Sequence, residues 1–165
     1  MYKRQVVGST TKGNVVSLGQ PRHGNRCNAM NYEAIVLIPH RGEMLFVHNI
    51  FVLEAGRKAT GEWTPGRNSW LGSKQNSAEL MPILPLEALA QLGACAVFAL
   101  DRYRGRMPVL AGFKDVEFPS PYSTDSTVSL SVEIISLGSR FGKAFGTATV
   151  GKDVVCKGEL SFVVI

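Results

Sequence analysis

The sequence predicts an α+β domain in which a curved antiparallel sheet wraps one long apolar helix. Residues 84–100 form an apolar run of helical length in which only Glu87 and Gln91 are strongly polar, the mark of a helix covered on all sides. Two strand-like segments precede this run and three or four follow it. Strands grouped apart from a helix favour an antiparallel sheet over βαβ units. Residues 127–134 alternate strictly, with Val128, Leu130, Val132 and Ile134 on one face and Thr127, Ser129, Ser131 and Glu133 on the other. That is a strand with one buried and one wet face.

The remaining elements follow in chain order. Residues 1–29 are rich in glycine and polar side chains and show no sustained periodicity, so they read as an irregular basic tail. A targeting segment would also be basic and acid-free, but Gly8, Gly13, Gly19 and Gly24 spoil an amphipathic helix. Met30 is an alternative first residue. The domain is expected over residues 30–165. It opens with a short helix over residues 31–38, ended by Pro39, and continues with a strand over residues 45–53 rich in Val, Ile and Phe. Ala55-Gly56 turns the chain into a second strand, residues 58–64, and residues 67–80 are loop-like. In the central helix Pro85 suits the first turn, and Gly105 follows its end. Strands are expected over residues 108–118, 127–134, 141–150 and 154–164, with Cys156, Gly158, Leu160 and Phe162 of the last facing inward.

Composition excludes several classes. The 165 residues suffice for one buried core. Residues 1–30 hold five basic side chains and no acid, leaving 13 basic and 13 acidic residues elsewhere. The domain is therefore electrically balanced and offers little to nucleic acid. No apolar run has the length and flanks of a membrane span. Three cysteines, Cys27, Cys95 and Cys156, have neither even count nor tight spacing. They suggest a reducing, cytoplasmic setting without disulfides or zinc. His23, His40 and His48 form no metal-ligand pattern.

Glu87 and Gln91 lie four residues apart and share one helix face. Glu87 falls in the first turn, where the helix dipole favours a carboxylate. Two readings stand side by side. Glu87 either caps the helix while Gln91 satisfies a nearby backbone group, or it lines a pocket and handles a proton or a thioester.

Several motifs resemble one family. Pro39-His40-Arg41 followed by Leu45-Phe46-Val47, Met81-Pro82, and Glu87-Ala88-Leu89-Ala90-Gln91 are similar to sequences of the FabZ-type 3-hydroxyacyl-(acyl-carrier-protein) dehydratases. Gly112, Phe118, Pro121 and Asp125, then Gly142-Lys143 and Gly146-Thr147-Ala148-Thr149-Val150, continue the match in order over residues 31–165. The resemblance implies the hot-dog fold, dimerisation and a tunnel for an acyl chain. It also implies dehydration of a 3-hydroxyacyl group carried on the phosphopantetheine of acyl carrier protein or on CoA, with no bound metal or separate cofactor. In that family the helix glutamate assists departure of the hydroxyl. A histidine from the other subunit's Gly-His-Phe-Pro-Gly loop removes the α-proton.

Here the family spacing puts Gly72 on the loop glycine and Ser73 on the histidine. Lys74-Gln75-Asn76 replaces Phe-Pro-Gly, and Met81-Pro82 precedes Glu87 one residue closer than in the family. Serine is not a base at neutral pH and as a nucleophile would itself need one. Glu87 and Ser73 are thus the expected catalytic positions, with Gly72, Met81, Pro82 and Gln91 lining the substrate site. His40 is expected to be structural and His48 to lie on a strand. Arg67, Lys74, Arg102, Arg104 and Arg106 are candidates for docking an acidic carrier protein. Three functions stay open: a dehydratase, a non-catalytic acyl-thioester-binding subunit of a hetero-dimer, and a thioesterase built on Glu87.

Overall fold

The computed structural model describes residues 34–67, 81–103 and 106–165, with backbone only at residues 35 and 36. The basic tail and the loop bearing Gly72, Ser73 and Lys74 lie outside the described residues. A short helix α1 (Ala34–Leu37) leads into a 3-10 turn at Gly42–Met44. The hairpin β1 (Asn49–Glu54) and β2 (Lys58–Trp63) follows, then the central helix α2 (Leu84–Phe98). Four strands complete the fold: β3 (Pro108–Glu117), β4 (Val128–Leu137), β5 (Phe141–Val150) and β6 (Asp153–Val164).

The six strands among the described residues form one antiparallel sheet in the order β1-β2-β4-β5-β6-β3. This single sheet curved around one helix is the hot-dog arrangement. The expected faces hold: Val128, Leu130 and Val132 of β4, and Cys156, Gly158, Leu160 and Phe162 of β6, are buried. All of these but Gly158 pack with Leu86, Leu89, Leu92 and Ala96 of α2 in the hydrophobic core.

Close approach of helix and sheet needs glycine on the sheet. A Cβ at Gly146 would stand 3.0 Å from Leu89 Cδ1 and 3.3 Å from Leu160 Cδ1. At the β1–β2 turn Gly56 has a φ of 69°, and its amide donates to the Ala96 carbonyl of α2 at 2.8 Å.

Two expectations are corrected. The first strand begins at Asn49, not at residue 45, because the Phe46 amide donates to the Gln91 side chain at 2.8 Å instead of to a neighbouring strand. The helix is not covered on all sides either. Glu87, Ala90, Ala94 and Phe98 are only half-buried, and their spacing makes one stripe along α2. The sheet of one chain covers the rest of the helix and leaves this stripe open.

Candidate active site

The site is built at the first turn of α2. Pro85 lies in that turn and Glu87 projects from it. Residue 91 follows one turn later on the same face, and Gln91 is 1% exposed. Its side-chain nitrogen donates to Glu87 Oε1 at 2.8 Å and to the Met44 carbonyl at 2.9 Å, while its oxygen accepts from the Phe46 amide. Both functional ends of the amide are therefore engaged by protein. Gln91, expected among the substrate-contacting residues, instead orients Glu87 and pins residues 44–46 to the helix.

Aromatic packing supports that pinned segment. Phe46 meets Trp63 with ring centroids 5.1 Å apart, and Trp63 meets Tyr122 at 6.0 Å. Such tilted pairs are worth about 0.5–1.5 kcal/mol beyond their area. The Tyr122 hydroxyl donates to the Met81 carbonyl at 2.8 Å, fixing the chain just before α2. Sequence reasoning missed Trp63 and Tyr122, whose only signal was their size.

On its open side Glu87 Oε1 lies 3.7 Å from His40 Nε2. Roughly a third of each side chain is exposed, so the pair can meet a ligand. His40 Nδ1, by contrast, is buried without a hydrogen-bond partner among the described residues. The neighbouring Arg41 guanidinium donates to the carbonyls of Ile38 and His40, which fixes the backbone that carries the imidazole.

His48 is arranged differently. Its Nδ1 accepts from the Thr64 amide at 3.1 Å. Burial first, and then the positive charge of Arg67, hold its pKa below the ordinary value. These effects favour the neutral ring, and its contact with Thr64 is structural. Burial likewise pushes the thiols of Cys95 and Cys156 up to about 12 and about 11, so neither is a ready nucleophile.

An apolar cavity of about 40 Å³ runs beside α2, lined by Leu89, Ala90, Gly93, Ala94 and Val97 on the helix and by Leu110, Leu160 and Phe162 on the sheet. Ala90 and Ala94 continue the half-buried stripe that starts at Glu87, so the cavity lies along the helix from the carboxylate. Met81 and Pro82 are exposed at the residues leading into α2.

The basic docking candidates divide. Lys74 and Arg104 lie outside the described residues, and Arg67 is exposed near His48. Arg102 and Arg106 line a separate depression of about 380 Å³ with Tyr103 and Gly138. They follow the C-terminal end of α2, and a 15-residue helix is roughly 22 Å long. Within one chain they stand at the opposite end of the helix from Glu87. Among the described residues no group of His, Cys, Asp and Glu is placed to hold a metal ion, and no helix is long and apolar enough to cross a membrane.

The chain is 37% identical over 138 residues to the 3-hydroxyacyl-[acyl-carrier-protein] dehydratase FabZ of Moorella thermoacetica, covering 82% of this chain and 96% of that one. This chain belongs to the FabZ family. The FabZ of Roseiflexus sp. (strain RS-1) is similar at 38% identity over 132 residues, covering 79% and 92%. No protein-family model matches the chain. Among solved structures, the dehydratase heterocomplex ApeI:P from Xenorhabdus doucetiae superposes with a TM-score of 0.68 at 16% identity, over 80% of this chain and 90% of that chain. A hypothetical thioesterase protein with coenzyme A from Streptococcus pneumoniae TIGR4 superposes at 0.56 with 14% identity, over 70% and 84%. These two likenesses show the fold. Within the FabZ family, the Glu-Ala-Leu-Ala-Gln segment at residues 87–91 is the part of this chain whose side chains now have defined partners.

Proposed function

We propose that this protein dehydrates 3-hydroxyacyl thioesters delivered by acyl carrier protein, in fatty-acid or related lipid synthesis. The observation that carries the reading is the Glu87 carboxyl group, fixed by Gln91 on the half-buried helix stripe whose Ala90 and Ala94 line an apolar cavity, in a chain so similar to FabZ. Elimination of water from a 3-hydroxyacyl group is redox-neutral. It asks for one proton donor at the leaving hydroxyl and one acceptor at the α-carbon. No metal or redox cofactor is needed beyond the carrier's own phosphopantetheine arm, and a cytoplasmic site of action goes with such a role. Glu87 is the donor in this scheme, and the cavity beside Ala90 and Ala94 takes the start of the acyl chain.

The same reading makes the protein a dimer. Strand β3 is ten residues long at one edge of the sheet, with Val109, Leu110 and Phe113 each about 40% exposed. A long apolar edge of this kind invites pairing with another strand. It flanks the open stripe of α2, so one partner could cover both. A second copy of this chain is the simplest partner. A related hot-dog subunit is the other, favoured by Ser73 at the position of the family's loop histidine.

Purified protein incubated with 3-hydroxyacyl-carrier and enoyl-carrier thioesters tests the function, with hydration, dehydration and free thiol followed together. Interconversion without thiol release is expected, and Glu87→Gln is expected to abolish it. Thiol release alone would replace the dehydratase by a thioesterase. Binding without either reaction would indicate a non-catalytic subunit.

A further inference from the structure

We propose that His40 is the general base of this site, acting with Glu87 from the same protomer. The proposal rests on the dehydratase reading above and adds the residue that completes it. The expected loop position carries Ser73, which cannot accept a proton at neutral pH unaided. His40 and His48 are the histidines among the described residues. His48 has its Nδ1 taken by the Thr64 amide. His40 is the one whose ring reaches Glu87, with Nε2 3.7 Å from Oε1.

The geometry fits both halves of the elimination. The α-hydrogen and the β-hydroxyl sit on adjacent carbons, so an acid and a base a few ångströms apart on one side can reach both at once. Burial of His40 Nδ1 leaves the Nε2 edge, beside Glu87, as the one that meets a ligand. The Cα–H bond breaks and its proton passes to Nε2. Its electron pair forms the C=C bond while the Cβ–O bond breaks, and the hydroxyl leaves as water with the proton of Glu87. The imidazolium then returns its proton to the Glu87 carboxylate, which restores the starting state. Elimination is therefore syn. Gln91 holds the Glu87 carboxyl group, and the Arg41 clamp holds the backbone of His40.

The test compares wild type, His40→Gln and Glu87→Gln in D₂O. It reads dehydration of a 3-hydroxyacyl-carrier thioester, and α-hydrogen exchange in a saturated acyl-carrier thioester, which has no hydroxyl to lose. A general base is worth roughly 10²–10⁴-fold in rate, so His40→Gln should lose at least the lower bound in both reactions. Glu87→Gln should lose dehydration and keep exchange. Added imidazole should restore part of both rates to His40→Gly, an outcome that a misfolded variant cannot give. If His40→Gln dehydrates and exchanges like an active wild type, His40 is not the base and the dehydratase reading stands. If it loses dehydration but keeps exchange, His40 merely positions Glu87 and the proposal falls. If wild type does neither reaction, the dehydratase reading fails and takes the base assignment with it.

Discussion

The side-chain nitrogen of Gln91 donates to Glu87 Oε1 at 2.8 Å, one helical turn away, and the same amide binds the Met44 carbonyl and the Phe46 amide. One buried side chain therefore sets the position of the carboxylate and ties residues 44–46 to α2. Gln91→Leu keeps the size but leaves two backbone groups without that partner. Of these the Phe46 amide is buried, and losing the partner of a buried donor costs about 1–3 kcal/mol. Urea unfolding should report a loss of that order, and dehydration should fall as well because Glu87 loses its donor. A variant as stable and as active as wild type would remove Gln91 from both roles.

The helix and the strands were legible in the sequence because burial leaves a period. β5 spans residues 141–150 as expected, and the inward faces of β4 and β6 match their alternation. What periodicity cannot show is a bond between a backbone amide and a distant side chain. The Phe46 amide turns to Gln91, which ends the ladder at Asn49, and no pattern within residues 45–53 encodes that. The open stripe of α2 was hidden for a related reason. Ala90 and Ala94 are apolar whether sheet, ligand or second chain covers them. Glu87 stood out as a lone carboxylate in an apolar run. His40 did not, because its meeting with Glu87 depends on the path of residues 38–44 over the head of the helix, and the family motif around it suggested only a structural part.

His48 predicts a pH dependence of stability. Its pKa lies below the ordinary 6.5 in the folded state, chiefly through burial. The unfolded chain therefore takes up a proton before the folded one does. Its contribution to stability is complete above pH 6.5 and is lost as pH falls through 6.5 towards the depressed folded value. The melting temperature should drop between about pH 7 and pH 5.5, above the range in which carboxylates titrate. In His48→Asn an amide oxygen can still accept from Thr64, so the drop should shrink. Parallel curves for the two proteins would rule His48 out.

Gly146 predicts the tolerance of the helix–sheet contact. A methyl group there already stands 3.0 Å from Leu89 Cδ1, so Gly146→Val must push Leu89 or Leu160 off its place. Overpacking of this kind costs about 1–3 kcal/mol, to be read as a lowered denaturation midpoint. Because Leu89 also lines the cavity, the KM for long acyl substrates should rise more than that for short ones. An equal effect on both would separate the cavity from the acyl chain.

The half-buried stripe of α2 predicts what holds the dimer together. Ala94 lies on that stripe and borders the cavity, beside the exposed edge strand β3. If a second chain covers the stripe, Ala94→Arg places a bulky cation in an apolar interface, where an unpaired charge is strongly disfavoured. Light scattering with size exclusion should show wild type as a dimer and Ala94→Arg as a monomer that keeps its circular dichroism. Dehydration by the monomer would then show which parts of the site one chain supplies. His40 and Glu87 lie in the same protomer, so α-hydrogen exchange should survive in the monomer at reduced rate for an acyl group too short to reach Ala94. The basis of that survival is the 3.7 Å separation of the two side chains within one chain. A wild type that is already monomeric at micromolar concentration would leave the stripe open in solution and would refute the covered face.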